Sequence, residues 1–205
     1  MAARTRKDVD ERRAQILEAT QEVALERGLA HLRVADVAAH LGISSGLVHY
    51  HFSSKDELLV EMLRQMAATD VGRLRETMAP SGDPVDRLDR VLREYLPTAR
   101  RDESWALWID WWDEALRSDA LATISSEFDT AWVAILEELI ESGVEDGVYD
   151  CKDAHGAAWR LSALLDGLAI QVVLPRRTLS RRQMLDYARV GAAREVGLVR
   201  SAFPD

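Results

Sequence analysis

The stretch Val34 to Phe52, VADVAAHLGISSGLVHYHF, predicts two short helices joined by a tight turn. Apolar side chains recur in its first half at the spacing of one helix face, at Val34, Val37, Ala38 and Leu41. Gly42 follows, where a left-handed residue commonly ends a helix. Ser44 or Ser45 then offers a side-chain oxygen to the start of the second helix. The pattern predicts a helix-turn-helix, although an ordinary helical hairpin shares the same spacing.

The second helix of this pair would expose small, polar and aromatic side chains, namely Ser45, Gly46, Leu47, His49, Tyr50 and His51. Such a surface suits insertion into the major groove of DNA. We expect base contacts from Ser45, Leu47 and His49, and phosphate contacts from Arg33, Ser44, Tyr50 and Lys55. Lys55 would stand at the start of a further helix, whose free N–H groups also attract phosphate.

The segment that follows, Tyr50 to Leu59 (YHFSSKDELL), resembles the end of the DNA-binding domain of the TetR family. That family typically carries a Tyr-x-His-Phe-like run and then Ser-Lys-Glu-x-Leu. Upstream, Ile16 to Thr20 and Gly28 resemble the family's first helix and its end. The resemblance spans Arg12 to Leu63. It implies a transcriptional regulator, usually a repressor, that a small molecule releases from a palindromic operator.

Two departures from the family pattern concern the expected DNA contacts. Leu32 and Arg33 stand where the family usually has Thr or Ser before the second helix. The run Leu47 to His49 replaces a Thr-Leu-Tyr run that is frequent in the recognition helix. The resemblance therefore predicts the fold of this segment more firmly than its individual contacts.

The charge of the chain is unevenly distributed. The 205 residues are 47% hydrophobic and carry a net charge of −9. Residues 1–55 contain eight basic and seven acidic side chains, a balance of +1, so the rest of the chain carries −10. A near-neutral head on an acidic body fits a protein that meets DNA at one end. With one cysteine, Cys151, and no apolar leader, the sequence predicts a cytoplasmic protein without an intrachain disulfide.

The sequence predicts an all-α protein of about nine helices in two domains. An N-terminal three-helix DNA-binding domain would cover residues 1–62, with residues 1–8 as a flexible arm. A ligand-binding and dimerisation domain would cover residues 63–205. Beyond the opening motif, the periodicity and the Gly and Pro positions predict helices over residues 9–27, 54–78, 85–95, 103–117, 121–142, 154–174 and 180–199.

The last two predicted helices, Ala154–Leu174 and Ser180–Val199, carry apolar and small residues that suit close helix packing. The first of them has a stripe formed by Leu161, Leu164, Leu165, Leu168 and Val172. This stripe either faces the core of its own chain or meets a second copy. The family resemblance implies the second arrangement, a homodimer built from these two helices.

A tryptophan-rich segment at residues 104–114, SWALWIDWWDE, is the strongest signal in the second half of the chain. It predicts either a core helix of large residues or the wall of a pocket. Aromatic faces beside carboxylates are typical of sites for organic cations. The candidate ligand-binding residues are Trp108, Asp110, Trp111, Trp112, Asp113, Trp132 and Asp166. This region also resembles, more loosely, the choline-responsive BetI-like branch of the family.

Other classes of function find little support in the sequence. There is no glycine-rich phosphate loop, HExxH or CxxC, so neither a cofactor nor a metal is expected. His49 and His51 would lie on opposite sides of a short helix. The alternatives left open are a helical small-molecule carrier without DNA binding and an all-α enzyme.

Overall fold

The computed structural model describes residues 2–78, 82–99, 102–175 and 179–204. Those residues form nine α-helices and one short 3₁₀ turn and contain no strand, which confirms the all-α prediction. The helices are α1 (Ala2–Arg27), α2 (Val34–Leu41), α3 (Ser45–His51), α4 (Lys55–Met78), α5 (Pro84–Tyr95), α6 (Glu103–Ala115), α7 (Asp119–Glu145), α8 (Ala154–Val173) and α9 (Arg181–Glu195). Among them, no helix is long and apolar enough to cross a membrane.

Helices α2 and α3 form the predicted helix-turn-helix. Gly42 adopts the left-handed conformation, with φ of 65°, and its N–H donates to the last turn of α2. The backbone N–H of Ile43 donates to the Ala38 carbonyl at 2.9 Å. Ser44 is the N-cap of α3 and accepts a hydrogen bond of 3.2 Å from the Leu47 N–H. Val48 is fully buried and fixes α3 to its neighbours.

Three helix boundaries differ by three or more residues from those predicted. One of them is the end of α9, which lies at Glu195 rather than Val199, ahead of Gly197 with φ of 71°. Helix α1 begins at Ala2, so residues 2–8, expected as a flexible arm, continue the helix; they contain no glycine or proline to end it. Helix α7 continues through Gly143 to Glu145, beyond the predicted end. A Cβ at Gly143 would lie 2.1 Å from the ring of Tyr149, whose hydroxyl donates to the Pro84 carbonyl at 2.6 Å. Gly143 therefore allows the Tyr149 ring to pack against α7 and does not end the helix.

The chain divides into two compact units. The head unit comprises the residues up to Ala67 together with Ala106–Ser125, and the body unit comprises Ala68–Trp105 together with the residues from Ser126 onward. Because α4, α6 and α7 each contain residues of both units, the division does not follow helix ends.

A buried ion pair lies in the body unit. Arg189 of α9 donates to both carboxylate oxygens of Asp89 on α5, at 2.7 and 3.2 Å, and Arg93 donates to the same carboxylate at 2.7 Å. Burial alone would raise the pKa of Asp89, but the hydrogen bonds from Arg189 and Arg93 hold it below its ordinary value. The pair joins α5 to α9 in a fixed orientation.

Candidate DNA-reading surface and effector site

Helix α3 exposes three of the six residues that were predicted for its outer surface. Tyr50 is 74% exposed, and His49 and Gly46 are also exposed. Leu47, Ser45 and His51 are half-buried, at the margins of this surface. Its polar and aromatic groups are of the kind that meet base edges and phosphates in a major groove.

Arg13 of α1 holds the end of α3. Its guanidinium donates to the His51 carbonyl at 2.7 Å and lies 4.2 Å from the centre of the Phe52 ring. Burial, and then the positive charges of Arg13 and Arg12, lower the pKa of His51. His51 is therefore neutral at pH 7 in the free protein and offers one ring N–H donor.

A basic groove of about 830 Å³ opens at the start of α2 in the head unit. It is lined by Arg27, Ala30, His31, Leu32, Arg33, Val34, Asp36 and Lys55. Arg33 is the N-cap residue of α2 and makes no side-chain cap, so the first N–H groups of this helix are left for another acceptor. Lys55 donates to the Leu29 carbonyl at 3.2 Å, which holds its ammonium at the groove.

The sequence analysis missed two nitrogen-bearing side chains of this groove, Arg27 and His31. Arg27 pairs with Asp36 at 3.0 Å. Both residues lie close to Gly28, which ends α1. Their position in the turn between α1 and α2 was the signal available in the sequence. The groove brings them together with Arg33 and Lys55, two of the predicted phosphate contacts.

Three of the candidate tryptophans lie in the head unit. Trp108 and Trp111 are buried and stacked, with ring centres 4.6 Å apart and planes 20° apart. The Trp111 indole N–H donates to the Leu121 carbonyl at 3.2 Å, which fixes α6 to the start of α7. Trp112 is half-buried on the same helix. The stacked pair thus has the packing and the satisfied N–H of core residues.

Two of the candidate carboxylates have partners within the head unit. Asp110 accepts a hydrogen bond of 2.5 Å from the backbone N–H of Leu29. Asp113 is exposed and pairs with Arg117 one turn later, and this hydrogen bond lowers the pKa of Asp113. Trp132 and Asp166 belong to the body unit.

The remaining two candidates, Trp132 and Asp166, meet in the body unit at a residue that the sequence analysis did not select. Tyr95, the last residue of α5, stacks on Trp132 with ring centres 4.1 Å apart and planes 7° apart. Its hydroxyl donates a short hydrogen bond to Asp166 of α8. Trp105 stands edge-on to Tyr95 at 5.4 Å and donates its indole N–H to the Tyr95 carbonyl at 3.0 Å.

Two carboxylates of this cluster are desolvated. Burial raises the pKa of Asp166 to about 6; the Tyr95 hydrogen bond opposes this shift, whereas the nearby charge of Asp129 adds to it. Burial also raises the pKa of Asp129. The cluster of Tyr95, Trp105, Asp129, Trp132 and Asp166, called here the aromatic–acid cluster, therefore combines π-faces with partly buried negative charge.

The indole N–H of Trp132 is a further unusual feature of the aromatic–acid cluster. Trp132 is 1% exposed, and its Nε1 has no hydrogen-bond partner among the described residues. A buried donor without an acceptor is costly, and most such groups in folded proteins are satisfied. The described residues thus leave one buried donor of the cluster without an acceptor.

A helix-turn-helix with a recognition helix of this kind, followed by a helical body, defines a DNA-binding regulator. The profile of the tetR family of bacterial regulatory proteins matches residues 16–62, and that of the C-terminal domain of BetI-type transcriptional repressors matches residues 84–197. The chain belongs to the TetR family and has a BetI-type C-terminal domain. It is accordingly a ligand-responsive transcriptional repressor.

Individual relatives agree with this assignment. The crystal structure of a transcriptional regulator from Saccharomonospora viridis in complex with choline superposes with a TM-score of 0.80 at 32% identity, over 87% of this chain and 94% of that one. The regulator PksA of Bacillus subtilis is 28% identical over 82% of this chain and 81% of its own length. BetI of Rhizobium meliloti is 24% identical, with coverage of 82% and 81%. These relatives are regulators of transcription rather than enzymes.

Proposed function

We propose that this repressor is released from its operator by a small organic cation that binds at the aromatic–acid cluster. The observation that carries the proposal is the desolvated Asp166 carboxylate beside the stacked rings of Tyr95 and Trp132. A cation over an aromatic face gains roughly 0.5–2 kcal/mol, and more where water is excluded. The choline complex of the Saccharomonospora viridis regulator makes a quaternary ammonium the first compound to test.

The chemistry of the cluster specifies more than a positive charge. Asp129 and Asp166 both have raised pKa values because of burial, so a cation would relieve a cost that the empty cluster bears. The unpaired N–H of Trp132 favours a ligand that carries an acceptor oxygen as well. A hydroxylated or carbonyl-bearing quaternary ammonium has both features, whereas a plain tetraalkylammonium lacks the acceptor.

Tyr95 gives the cluster a means of responding to the ligand. In the free protein its hydroxyl is the donor to Asp166. An incoming quaternary cation balances the charge of Asp166 without donating a hydrogen bond to it, and Tyr95 moves away from the carboxylate and from the face of Trp132. Trp105 follows, because its indole N–H is bonded to the Tyr95 carbonyl. Since Trp105 lies in the first turn of α6, the displacement passes into a helix that continues in the head unit.

On the DNA side, we propose that α3 enters the major groove with Ser45, Leu47 and His49 at the base edges. Gly46 and His51 lie beside them on the same helix. Arg33, Ser44, Tyr50 and Lys55 hold phosphates, joined by Arg27 and His31 from the groove at the start of α2. These contacts would give an operator affinity that falls with salt, because each neutralised phosphate releases counterions.

The homodimer typical of the family would form through one face of α8 and α9. Leu161, Leu165, Leu168 and Val172 are buried within the body unit, so most of the predicted stripe faces the core of its own chain. The exposed large hydrophobic side chains on these helices are Trp159, Leu164 and Tyr187, and we call Leu164 and Tyr187 the association face. A Cβ on Gly191 would lie 2.2 Å from the Leu164 side chain. The missing side chain at Gly191 therefore lets Leu164 pack closely against α9. A two-fold dimer of this kind reads a near-palindromic operator.

Calorimetry with choline and its neutral isostere 3,3-dimethylbutan-1-ol tests the effector proposal. The two compounds have similar shape and the same hydroxyl, and differ in the charge. Choline should bind the wild type at least about tenfold more tightly, because Asp166 and the aromatic faces act on the charge. Asp166→Asn should abolish most of this difference. Equal or tighter binding of the neutral compound would refute a cation site.

A further inference from the structure

A second groove, of about 700 Å³, lies in the body unit along the first turns of α9. Five of its lining residues are arginines, namely Arg93, Arg181, Arg182, Arg189 and Arg200, and we call it the arginine groove. A single carboxylate, Asp186, also lines it. This concentration of positive charge stands in the part of the chain that carries an excess of acidic residues.

The positive charge of the arginine groove exceeds the negative charge around it. Asp89 is shared by Arg93 and Arg189, and Asp186 accepts from Arg200 at 2.7 Å. Those two carboxylates leave a local charge of about +3 from five guanidinium groups. Among the residues that the structure describes, Arg181 reaches only a backbone carbonyl, that of Pro97 at 3.4 Å. Arg182 is exposed and has no ion pair among the described residues.

Several guanidinium groups of the arginine groove are held in place before any ligand arrives. Arg189 is 3% exposed and fixed by two hydrogen bonds to Asp89. Arg200 is fixed by Asp186 and by the Phe203 carbonyl at 3.2 Å. The capping box of Ser180 and Gln183 sets the first turn of α9. Pre-positioned planar donors of this kind match the oxygen pairs of phosphates and carboxylates.

The arginine groove remains open in the dimer proposed above. At 3.6 residues per turn, Arg182 and Arg189 lie on roughly the opposite side of α9 from Tyr187 of the association face. The burial pattern agrees, because Tyr187 is exposed while Leu185 and Arg189 pack inward. A partner that covered Tyr187 would therefore meet the groove only at its Gln183 edge and leave the side of Arg182 and Arg189 accessible.

We propose that the arginine groove is a binding site for a small molecule with at least two negative charges, carried by phosphate or carboxylate groups. This site is distinct from the aromatic–acid cluster and prefers the opposite charge. Its residues also connect to Tyr95, because Arg93 precedes Tyr95 by two positions on α5 and Arg181 contacts the Pro97 carbonyl two positions after it. An anion in the groove thus acts on both ends of the segment that bears Tyr95.

Calorimetry on the full-length protein tests this proposal with inorganic pyrophosphate and with tricarballylate, each at constant ionic strength. At least one probe should bind saturably, and the tighter probe identifies phosphate or carboxylate as the preferred group. Arg182→Glu should weaken that binding at least about tenfold, because it replaces a positively charged donor with a carboxylate of the same sign of charge as the ligand. Arg181→Gln should weaken it less, since the charge is lost rather than reversed.

Arg75→Glu provides the matched control, because Arg75 is an exposed arginine of the body unit that does not line the groove. It should leave the affinity within about twofold, as expected for a distant charge screened by salt. Two results would overturn the proposal. One is that neither probe binds saturably to the wild type. The other is that Arg182→Glu and Arg75→Glu weaken binding equally, which would indicate general attraction by net charge.

Discussion

The carboxylate of Asp110 accepts a hydrogen bond of 2.5 Å from the backbone N–H of Leu29, within the turn that joins α1 to α2. The carbonyl of the same Leu29 accepts from Lys55 at 3.2 Å. Asp110 also lies 3.2 Å from the place where a Cβ would stand on Gly28, which has φ of 80°. Asp110 of α6 therefore supports the turn that precedes the helix-turn-helix. A carbonyl of the same turn holds Lys55, a predicted phosphate contact.

Replacement of Asp110 by alanine should weaken the head unit rather than effector binding. The variant leaves the N–H of the buried Leu29 without its acceptor, at a cost of about 1–3 kcal/mol in the free energy of unfolding. Operator affinity should fall as well, because Lys55 loses a fixed partner. Thermal melts and choline titrations measure the two effects. A loss of choline binding with unchanged stability would instead favour Asp110 as a ligand-binding anion, as the sequence analysis predicted.

Asp113→Ala is the control for this variant. Asp113 is also an α6 carboxylate, but it is exposed and pairs only with Arg117 in the structure as described. Its removal should leave both stability and choline affinity unchanged within error.

Asp166→Asn should stabilise the ligand-free protein at alkaline pH. The folded state raises the pKa of Asp166 to about 6, so it binds the proton more tightly than the unfolded chain does. The contribution of this group is therefore complete below about pH 4 and is lost as the pH rises through about 6. Asparagine keeps an acceptor for the Tyr95 hydroxyl without the charge, and should gain up to about 3 kcal/mol at pH 8.

Denaturant unfolding of the wild type and of Asp166→Asn at pH 4 and pH 8 measures this effect. The comparison cancels other carboxylates, such as Asp89, whose pKa is lowered and whose contribution has the opposite sign. If the difference in unfolding free energy between variant and wild type were the same at pH 4 and pH 8, ionisation of the buried Asp166 carboxylate would not destabilise the folded protein.

Lys55→Ala and His49→Ala should affect operator binding in different ways. Lys55 is a predicted phosphate contact, so its loss should weaken all sequences alike and reduce the slope of log affinity against log salt by about one. His49 is exposed on α3 and is a predicted base contact, so its loss should change the preferred sequence. Selection of binding sites from a random library distinguishes the two. The reverse assignment would follow if only Lys55→Ala altered the preferred sequence.

Leu164→Asp should convert the proposed dimer into monomers. Leu164 is an exposed apolar residue of the association face, and a carboxylate there would be buried without a partner in the dimer. Leu116→Asp is the matched control, because Leu116 is 82% exposed and lies just after α6, away from α8 and α9 in the sequence. Sedimentation equilibrium should show a monomer for the first variant and a dimer for the second. A wild type that sediments as a monomer at micromolar concentration would count against the association face.

The fold was predictable from the sequence because its signals are local. Each signal lies within about one helical turn: the spacing of the apolar residues, Gly42 at a helix end and Ser44 at a helix start. The structure confirms the two helix ends. One predicted boundary failed because Gly143 was interpreted as a helix end, whereas its missing side chain makes room for the ring of Tyr149.

The candidate effector site was only partly predictable for the same reason. Helical periodicity shows which face of α6 is buried, but not which residues that face meets. Trp108 and Trp111 pack on each other in the head unit, whereas Trp132 and Asp166 meet through Tyr95. Tyr95 gave no signal of its own, since a tyrosine at a helix end before a proline is common. Its partners are 37 and 71 residues away in sequence, beyond the reach of any local pattern.

The central claim is that a cation bound at the aromatic–acid cluster and an operator bound at α3 oppose each other through one conformational equilibrium. Titration of choline into the protein, with and without a saturating operator duplex, tests it most directly. Linkage requires that DNA weaken choline binding by the same factor by which choline weakens DNA binding, typically about 5–150-fold. We predict a weakening of at least fivefold in the presence of the operator. Equal choline affinity with and without the operator would contradict the account.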